Sequence, residues 1–208
     1  MEQGSQKWFE ARYGNASASR IKDVIAKTKS GYSASRENYM TDLVLERFGV
    51  FPEQLDTAPI RWGNEQETFA CAMYEVNENT MVQECGFILH PTIEKSGASP
   101  DGLIGDDGVL EIKCPNTKTH FEYLLAGIPP AQYVPQMAWQ IICTGRKWAD
   151  FVSYDPRAPE GLQYFKVRYN PEPAYLEMLE NEVKVFLIEV EAKYQQLKTK
   201  LNQMKEGK

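Results

Sequence analysis

The chain has 208 residues, 42% hydrophobic, enough to enclose a sizeable core in one domain. No run is apolar and long enough to cross a bilayer, and the opening MEQGSQKWFEARYG lacks a signal peptide's apolar stretch, so a membrane role is excluded and a cytoplasmic location expected. Four scattered cysteines (Cys71, Cys85, Cys114, Cys143) without a C-x-x-C pair argue against a disulfide framework or a zinc or iron–sulfur site.

The net charge of −6 is unevenly spread. Residues 1–36 hold seven bases (Lys7, Arg12, Arg20, Lys22, Lys27, Lys29, Arg36) against three acids (Glu2, Glu10, Asp23), a local +4 that leaves −10 for the remainder. That bias suits either a nucleic-acid surface or a solvated helix face. Along residues 19–26 the apolar spacing predicts a helix capped by Ser17 or Ser19, and a further helix follows over 36–49. Residues 51–59 form a proline-bounded connection, and Phe69, Ala70, Met73 and Tyr74 recur at helical spacing in a helix over 62–74. Strands are expected over 81–89 and 98–104, then a Gly105–Gly108 turn and a strand over 109–113, a hairpin pattern. Helices follow at 117–126 and 132–143, strands at 148–154 and 162–169, and a long helix at 172–203. In that last helix Leu176, Leu179, Val183, Phe186, Val190, Tyr194, Leu197 and Leu201 make one stripe, packed on the core or on another subunit. The fold class is α/β (α+β), a mixed sheet flanked by helices in one domain, 1–208. It divides into a helical part at about 1–60, a catalytic core at about 61–170 and the terminal helix.

Chemistry concentrates at Ser99-Pro100-Asp101-Gly102 and Glu111-Ile112-Lys113. Strand alternation puts Glu111 and Lys113 on one face and Ile112 on the other, and the hairpin partner is expected to bring Asp101 across to the Glu111 face. Two nearby carboxylates repel unless a divalent cation lies between them. Mg²⁺ takes oxygen ligands, and the Ile112 carbonyl adds one. Lys113 then lies where it can orient or deprotonate a nucleophilic water and offset charge on phosphate. A solvated strand face is the plainer reading of Glu111 and Lys113 alone.

These segments resemble the PD-(D/E)xK nuclease signature, and more narrowly the phage lambda exonuclease group of YqaJ-type viral recombinases (alkaline exonucleases). The likeness runs from Trp8 to the last helix. It takes in Trp8…Arg12…Gly14…Ser17…Ser19, Trp62-Gly63…Glu67…Ala70…Tyr74-Glu75, Tyr133…Gln136 and Tyr154-Asp155-Pro156-Arg157. The resemblance implies a 5′-to-3′ exonuclease acting on double-stranded DNA ends with two Mg²⁺ ions, Mn²⁺ substituting. Such an enzyme releases mononucleotides and leaves a 3′ single strand for an annealing partner, works as a homotrimeric ring, and is encoded by a phage or prophage in a bacterial host. Carried over by position, Asp101 bridges the ions, Glu111 and the Ile112 carbonyl hold one, and Glu67 assists the second, with Glu65 as its rival. Gln136 steadies Lys113 or the nucleophile. Arg12, Ser17, Ser19 and Ser99 form a 5′-phosphate pocket, for which N-capping by the two N-terminal serines is the plainer reading. Ile60 is a wedge at the duplex end. The segment 90–98 departs from the family by not reproducing an acidic residue that the family has upstream of the aspartate motif; His90 sits near that place. Two other readings remain: an endonuclease or end-processing nuclease of the same superfamily, and an inert DNA-end-binding protein.

Overall fold

The computed structural model describes residues 3–53 and 56–206. Its elements in order are α1 Gln6–Arg12, β1 Ala16–Ser17, a 3-10 turn Ala18–Arg20, α2 Ile21–Ile25, β2 Lys27–Thr28, β3 Gly31–Tyr32, α3 Ala34–Arg47, α4 Ala58–Glu78, β4 Val82–Gln83, β5 Ile88–Leu89, β6 Ser96–Ala98, β7 Gly102–Ile104, β8 Gly108–Lys113, α5 Thr117–Ala126, α6 Val134–Thr144, β9 Trp148–Tyr154, β10 Tyr164–Tyr169 and α7 Pro173–Glu206. The strands form a mixed sheet ordered β10–β9–β8–β7–β4, a small sheet β1–β6–β5 and the hairpin β2–β3. This is the expected mixed α/β architecture with a long last helix. Gln54 and Leu55 of the expected 51–59 connection lie outside the described residues.

The expected hairpin forms, with Gly102 opposite Leu110 and Ile104 opposite Gly108. Its tip is held by Arg146, whose Nη1 donates to the carbonyls of Ile104, Gly105 and Gly108 at 3.1, 2.6 and 2.9 Å. Two strand expectations need correcting. Residues 81–89 divide into β4 and β5, and residues 98–104 into β6 and β7, with one member of each pair in each sheet. Local apolar patterning is the same whichever sheet a strand joins, so the pattern could not mark the crossing.

On β8 and β9, Leu110, Ile112, Val152 and Tyr154 pack beneath Ala70 and Tyr74 of α4. Val109, Ala149 and Phe151 pack on the other face against Met137, Ile141 and Tyr123. Alternation therefore aims Glu111, opposite Phe151, at α6. Helix α6 is apolar nearly all round because it is covered twice. Ala138, Trp139 and Cys143 join a second core with Ile21, Val24, Leu43, Leu179, Val183 and Phe186 from α2, α3 and α7. The stripe on α7 accordingly packs on the core through Val190, and Tyr194 meets Phe48, ring centroids 4.8 Å apart. Beyond it Leu197 and Leu201 are exposed.

Two expectations about the N-terminal part also change. Ser17 occupies the cap position of the 3-10 turn without a side-chain capping bond, and helix α2 is a five-residue element beginning at Ile21. The basic excess is partly structural: Arg20 pairs with Asp23 at 2.5 Å and lies 3.4 Å from Asp42, Lys27 pairs with Glu182, and buried Arg36 makes a two-pronged contact with Glu189. Lys27 and Arg36 thus fasten the N-terminal helices to α7 rather than face a polyanion.

Candidate active site

Pro100 cannot donate a ladder hydrogen bond, and the pairing of β7 with β8 stops at Gly102 and Leu110. A Cβ on Gly102 would lie 2.1 Å from Val82 Cγ1, so glycine is what lets β4 close onto the hairpin there. Beyond this point Glu111, Ile112 and Lys113 keep β9 on one side and have an open edge on the other. The Asp101 backbone N–H donates to the Leu110 carbonyl at 3.1 Å, and its carboxylate Oδ2 accepts from the Ile112 N–H at 2.6 Å. Asp101 is therefore fixed against the strand edge. It lines a cleft with Ile112 and Glu67, and Glu111 is the carboxylate that acts on it most strongly.

Glu111 is fully buried. Its Oε1 accepts from the Gln136 carboxamide at 2.7 Å and is in contact with the Lys113 ammonium; its Oε2 accepts from the Gln140 carboxamide at 2.6 Å. Lys113 Nζ also lies 3.0 Å from the Ile112 carbonyl and 5.3 Å from the Tyr133 ring centroid. Gln136 thus meets the same Glu111 oxygen that Lys113 contacts. Gln140 escaped sequence reasoning. Its signal was there, a second glutamine four residues on and so on the same face of an apolar helix, where any unpartnered amide is costly.

Glu67 faces the same cleft from α4, whereas Glu65 is exposed on the helix. The cleft encloses about 450 Å³, and Glu75 and Glu84 also line it. The electrostatics are those of an anionic cluster with one nearby cation. Burial holds the Asp101 carboxyl well above the ordinary aspartate range; Glu111 and Glu67 push it further up, while Lys113 and the Ile112 N–H pull the other way. Glu67 is raised too, first by burial and then by Glu111 against the opposing Lys113. Burial alone would lower the Lys113 pKa, but Glu111 and Asp101 more than offset it, and the ammonium form is favoured. Cys71 and Cys85 border the cleft with thiols pushed up to about 11 by burial, which keeps them protonated.

This donor set fits a hard divalent cation. Two carboxylates and a main-chain carbonyl converge at an open strand edge, the carbonyl is already met by an ammonium, and a third carboxylate stands nearby. Among the described residues no group of three or more carboxylate, thiol or imidazole side chains forms a closed metal cage. An open arrangement of one or two carboxylates leaves positions for water and phosphate. His90 does not join it. Its Nδ1 accepts from the N–H groups of Thr92 and Ile93, its Nε2 lies 3.2 Å from Glu180 of α7, and its ring stacks on Trp139.

The residues expected at a 5′-phosphate fall into two neighbouring groups. The Arg12 guanidinium lies 4.1 Å over the Trp8 ring, and Trp8 Nε1 donates to Ser99 Oγ at 2.9 Å. Arg12 has no ion pair among the described residues, and burial lowers its pKa. Ser17 and Ser19 hydroxyls are 3.3 Å apart; Ser17 is largely buried, and its N–H donates to the Tyr39 hydroxyl at 2.8 Å. Ile60, in the first turn of α4, is 42% exposed and free to touch a ligand.

The model of the YqaJ-like viral recombinase domain matches residues 7–147. The fold is similar to the crystal structure of an alkaline exonuclease, LHK-Exo from Laribacter hongkongensis. That match has 45% identity and a TM-score of 0.90, and covers 96% of this chain and 100% of that one. A second structure of LHK-Exo, in complex with dAMP, matches at 44% identity and the same TM-score over the same shares. A phage-related exonuclease from Haemophilus somnus 129PT shares the fold at 13% identity, TM-score 0.66, over 90% of this chain and 96% of its own. No curated protein matches. An acidic strand edge at the centre of such a likeness identifies the chain as a deoxyribonuclease belonging to the YqaJ-like viral recombinase family.

Proposed function

We propose that this enzyme is a Mg²⁺-dependent 5′-to-3′ exonuclease that removes mononucleotides from double-stranded DNA ends. The observation that carries this reading is the gathering of Asp101, Glu111 and the Ile112 carbonyl at an open strand edge, with Lys113 beside them and Glu67 across the cleft. Asp101, Glu111 and the Ile112 carbonyl would hold one cation, with Mn²⁺ an acceptable substitute, and Glu67 would help to hold a second. Bound there, the ions would supply charge neutralisation at the scissile phosphate and acidify water. Lys113, kept as an ammonium by its acidic neighbours, donates to the attacking water or to the oxyanion forming on phosphorus. Water oxygen bonds to phosphorus as the bond from phosphorus to the 3′ oxygen breaks; the departing nucleotide takes up a proton at that oxygen. The shortened strand then carries a new 5′-phosphate. Arg12, unpaired and stacked on Trp8 next to Ser99, is the group suited to receive it, with Ser17 and Ser19 adjacent and Ile60 separating the strands.

The same reading takes the whole chain as one nuclease domain, working as a homotrimeric ring in the host cytoplasm and passing its 3′ strand to an annealing protein. Exposed Leu197, Leu201 and Met204 on α7, and Phe69, Met73 and Val76 on α4, are apolar surfaces open to neighbouring subunits. No described helix is long and apolar enough to cross a membrane. The deciding experiment digests duplexes labelled at either end in Mg²⁺ and identifies the product. Loss of the 5′ label as mononucleotide supports the reading. Cleavage of circular plasmid at a comparable rate would move the assignment to an endonuclease, and light scattering near 24 kDa would remove the ring.

A further inference from the structure

Gln140 is fully buried in α6, and its carboxamide N–H donates to Glu111 Oε2 at 2.6 Å. The other oxygen is used differently. Oε1 accepts from Gln136 and contacts the Lys113 ammonium, which also reaches the Ile112 carbonyl, so a cation between Oε1 and that carbonyl would take the place of the ammonium contact. Oε1 is therefore the oxygen turned toward the main-chain ligand at the strand edge, and Oε2 is turned into the helix. Gln140 is not explained by stability. Its own carbonyl Oε1 is buried without a hydrogen-bond partner, a cost that an apolar residue in this otherwise apolar helix would avoid.

We propose that Gln140 determines which divalent cation the centre accepts, by holding Glu111 as a one-oxygen ligand. Mg²⁺ is small and requires single oxygen contacts in a near-octahedral array; Ca²⁺ is larger, tolerates more ligands and often takes both oxygens of one carboxylate. Turning Glu111 to present both oxygens would break the Oε2 bond to Gln140, so the site disfavours the two-oxygen grip and with it Ca²⁺. Gln140 touches no cation itself; it is a positioning residue acting through Glu111. The inference rests on the reading of Asp101 and Glu111 as cation ligands.

The test needs no DNA and no turnover. Binding of Mn²⁺ is followed by its paramagnetic resonance signal and competed with Mg²⁺ or Ca²⁺, in the unaltered protein and in Gln140→Met, Gln136→Met and Asp101→Asn. Gln140→Met keeps the volume and is expected to shift the Mg²⁺-to-Ca²⁺ affinity ratio toward Ca²⁺ by about ten-fold or more, within the range of outer-ligand effects. Gln136→Met, which touches the cation-facing oxygen, is expected to weaken both ions alike and leave the ratio in place. If Gln140→Met does not fold, Gln140→Asn keeps an amide but withdraws it by one methylene, and the same shift is expected. Equal weakening of both ions by the Gln140 variants, or no change in either, overturns the selectivity role and leaves the cation site standing. Cation binding that survives Asp101→Asn unchanged overturns both.

Discussion

Buried carboxylates on neighbouring strands of one sheet are treated in opposite ways. Asp150 on β9 is fully enclosed and answered in full. Arg168 donates to it twice, at 2.8 and 2.9 Å, Tyr74 donates a third bond at 2.9 Å, and the guanidinium stacks on Trp148. Asp155, at the end of the same strand, is likewise matched: burial raises its pKa, but bonds from Arg157 and Thr117 outweigh that and lower it. At the neighbouring strand, Glu111 on β8, Asp101 just before β7 and Glu67 on α4 share a single lysine, and the carboxyls of Asp101 and Glu67 are driven up. A carboxylate kept for structure is paired until it is neutral. The edge that holds Asp101, Glu111 and Glu67 is left with surplus negative charge, as a site proposed to hold a cation would be.

The comparison breaks most visibly on activity. Asp101→Ala, Glu111→Ala or Lys113→Ala should cut hydrolysis of a labelled duplex by about 10²–10³-fold or more, with circular dichroism unchanged. Excess EDTA should do the same to the unaltered enzyme, and undiminished cleavage in EDTA would sink the mechanism. At the balanced site the roles reverse. Asp150→Ala leaves the buried Tyr74 hydroxyl without its acceptor and should cost about 1–3 kcal/mol in urea unfolding, while each molecule still folded turns over normally. A stable Asp150→Ala protein with no activity would place Asp150 in catalysis instead.

Arg12 has no ion pair among the described residues, so it should matter for substrate. Arg12→Ala is expected to slow digestion of 5′-phosphorylated ends roughly ten-fold, from about 1.5–3 kcal/mol for a charge-assisted contact, and hardly to affect 5′-hydroxyl ends. Equal loss on both ends would make it a structural arginine. The smallest effect is on stability against pH without cation. Since the folded-state pKa of Asp101 is raised, its contribution is present below the usual carboxylate range and is lost as pH rises through the raised value. Asp155 has the opposite sign, and its contribution is lost as pH falls through its lowered value. Asp101→Asn keeps an acceptor for the Ile112 N–H and should raise the melting temperature at pH 8 without Mg²⁺ by a few degrees. A lowered melting temperature would show that repulsion at the edge had been overstated.

Much of this was readable beforehand where the information is local. The hairpin, the alternation separating Glu111 and Lys113 from Ile112, and the stripe of α7 follow from periods of two and 3.6 residues. What failed was non-local. Nothing near Cys85 or Pro100 says that the strand changes sheet. Gln140 looks like any polar residue in a core helix until a carboxylate 29 positions earlier is seen to need it.

The strapping of α7 to the start of the chain has a consequence for the order of events in the cell. Leu179, Val183, Phe186 and Val190 complete the core that Ile21, Val24 and Leu43 begin, and Glu182, Glu189 and Glu191 close ion pairs with Lys27, Arg36 and Arg47. During synthesis Ile21, Val24 and Leu43 emerge early, yet the core they begin stays open until this helix leaves the ribosome. Contacts spanning some 150 residues make folding slow and late. The core around α2 and α3 is therefore closed last, and a prematurely ended chain leaves Ile21, Val24 and Leu43 without the helix that covers them.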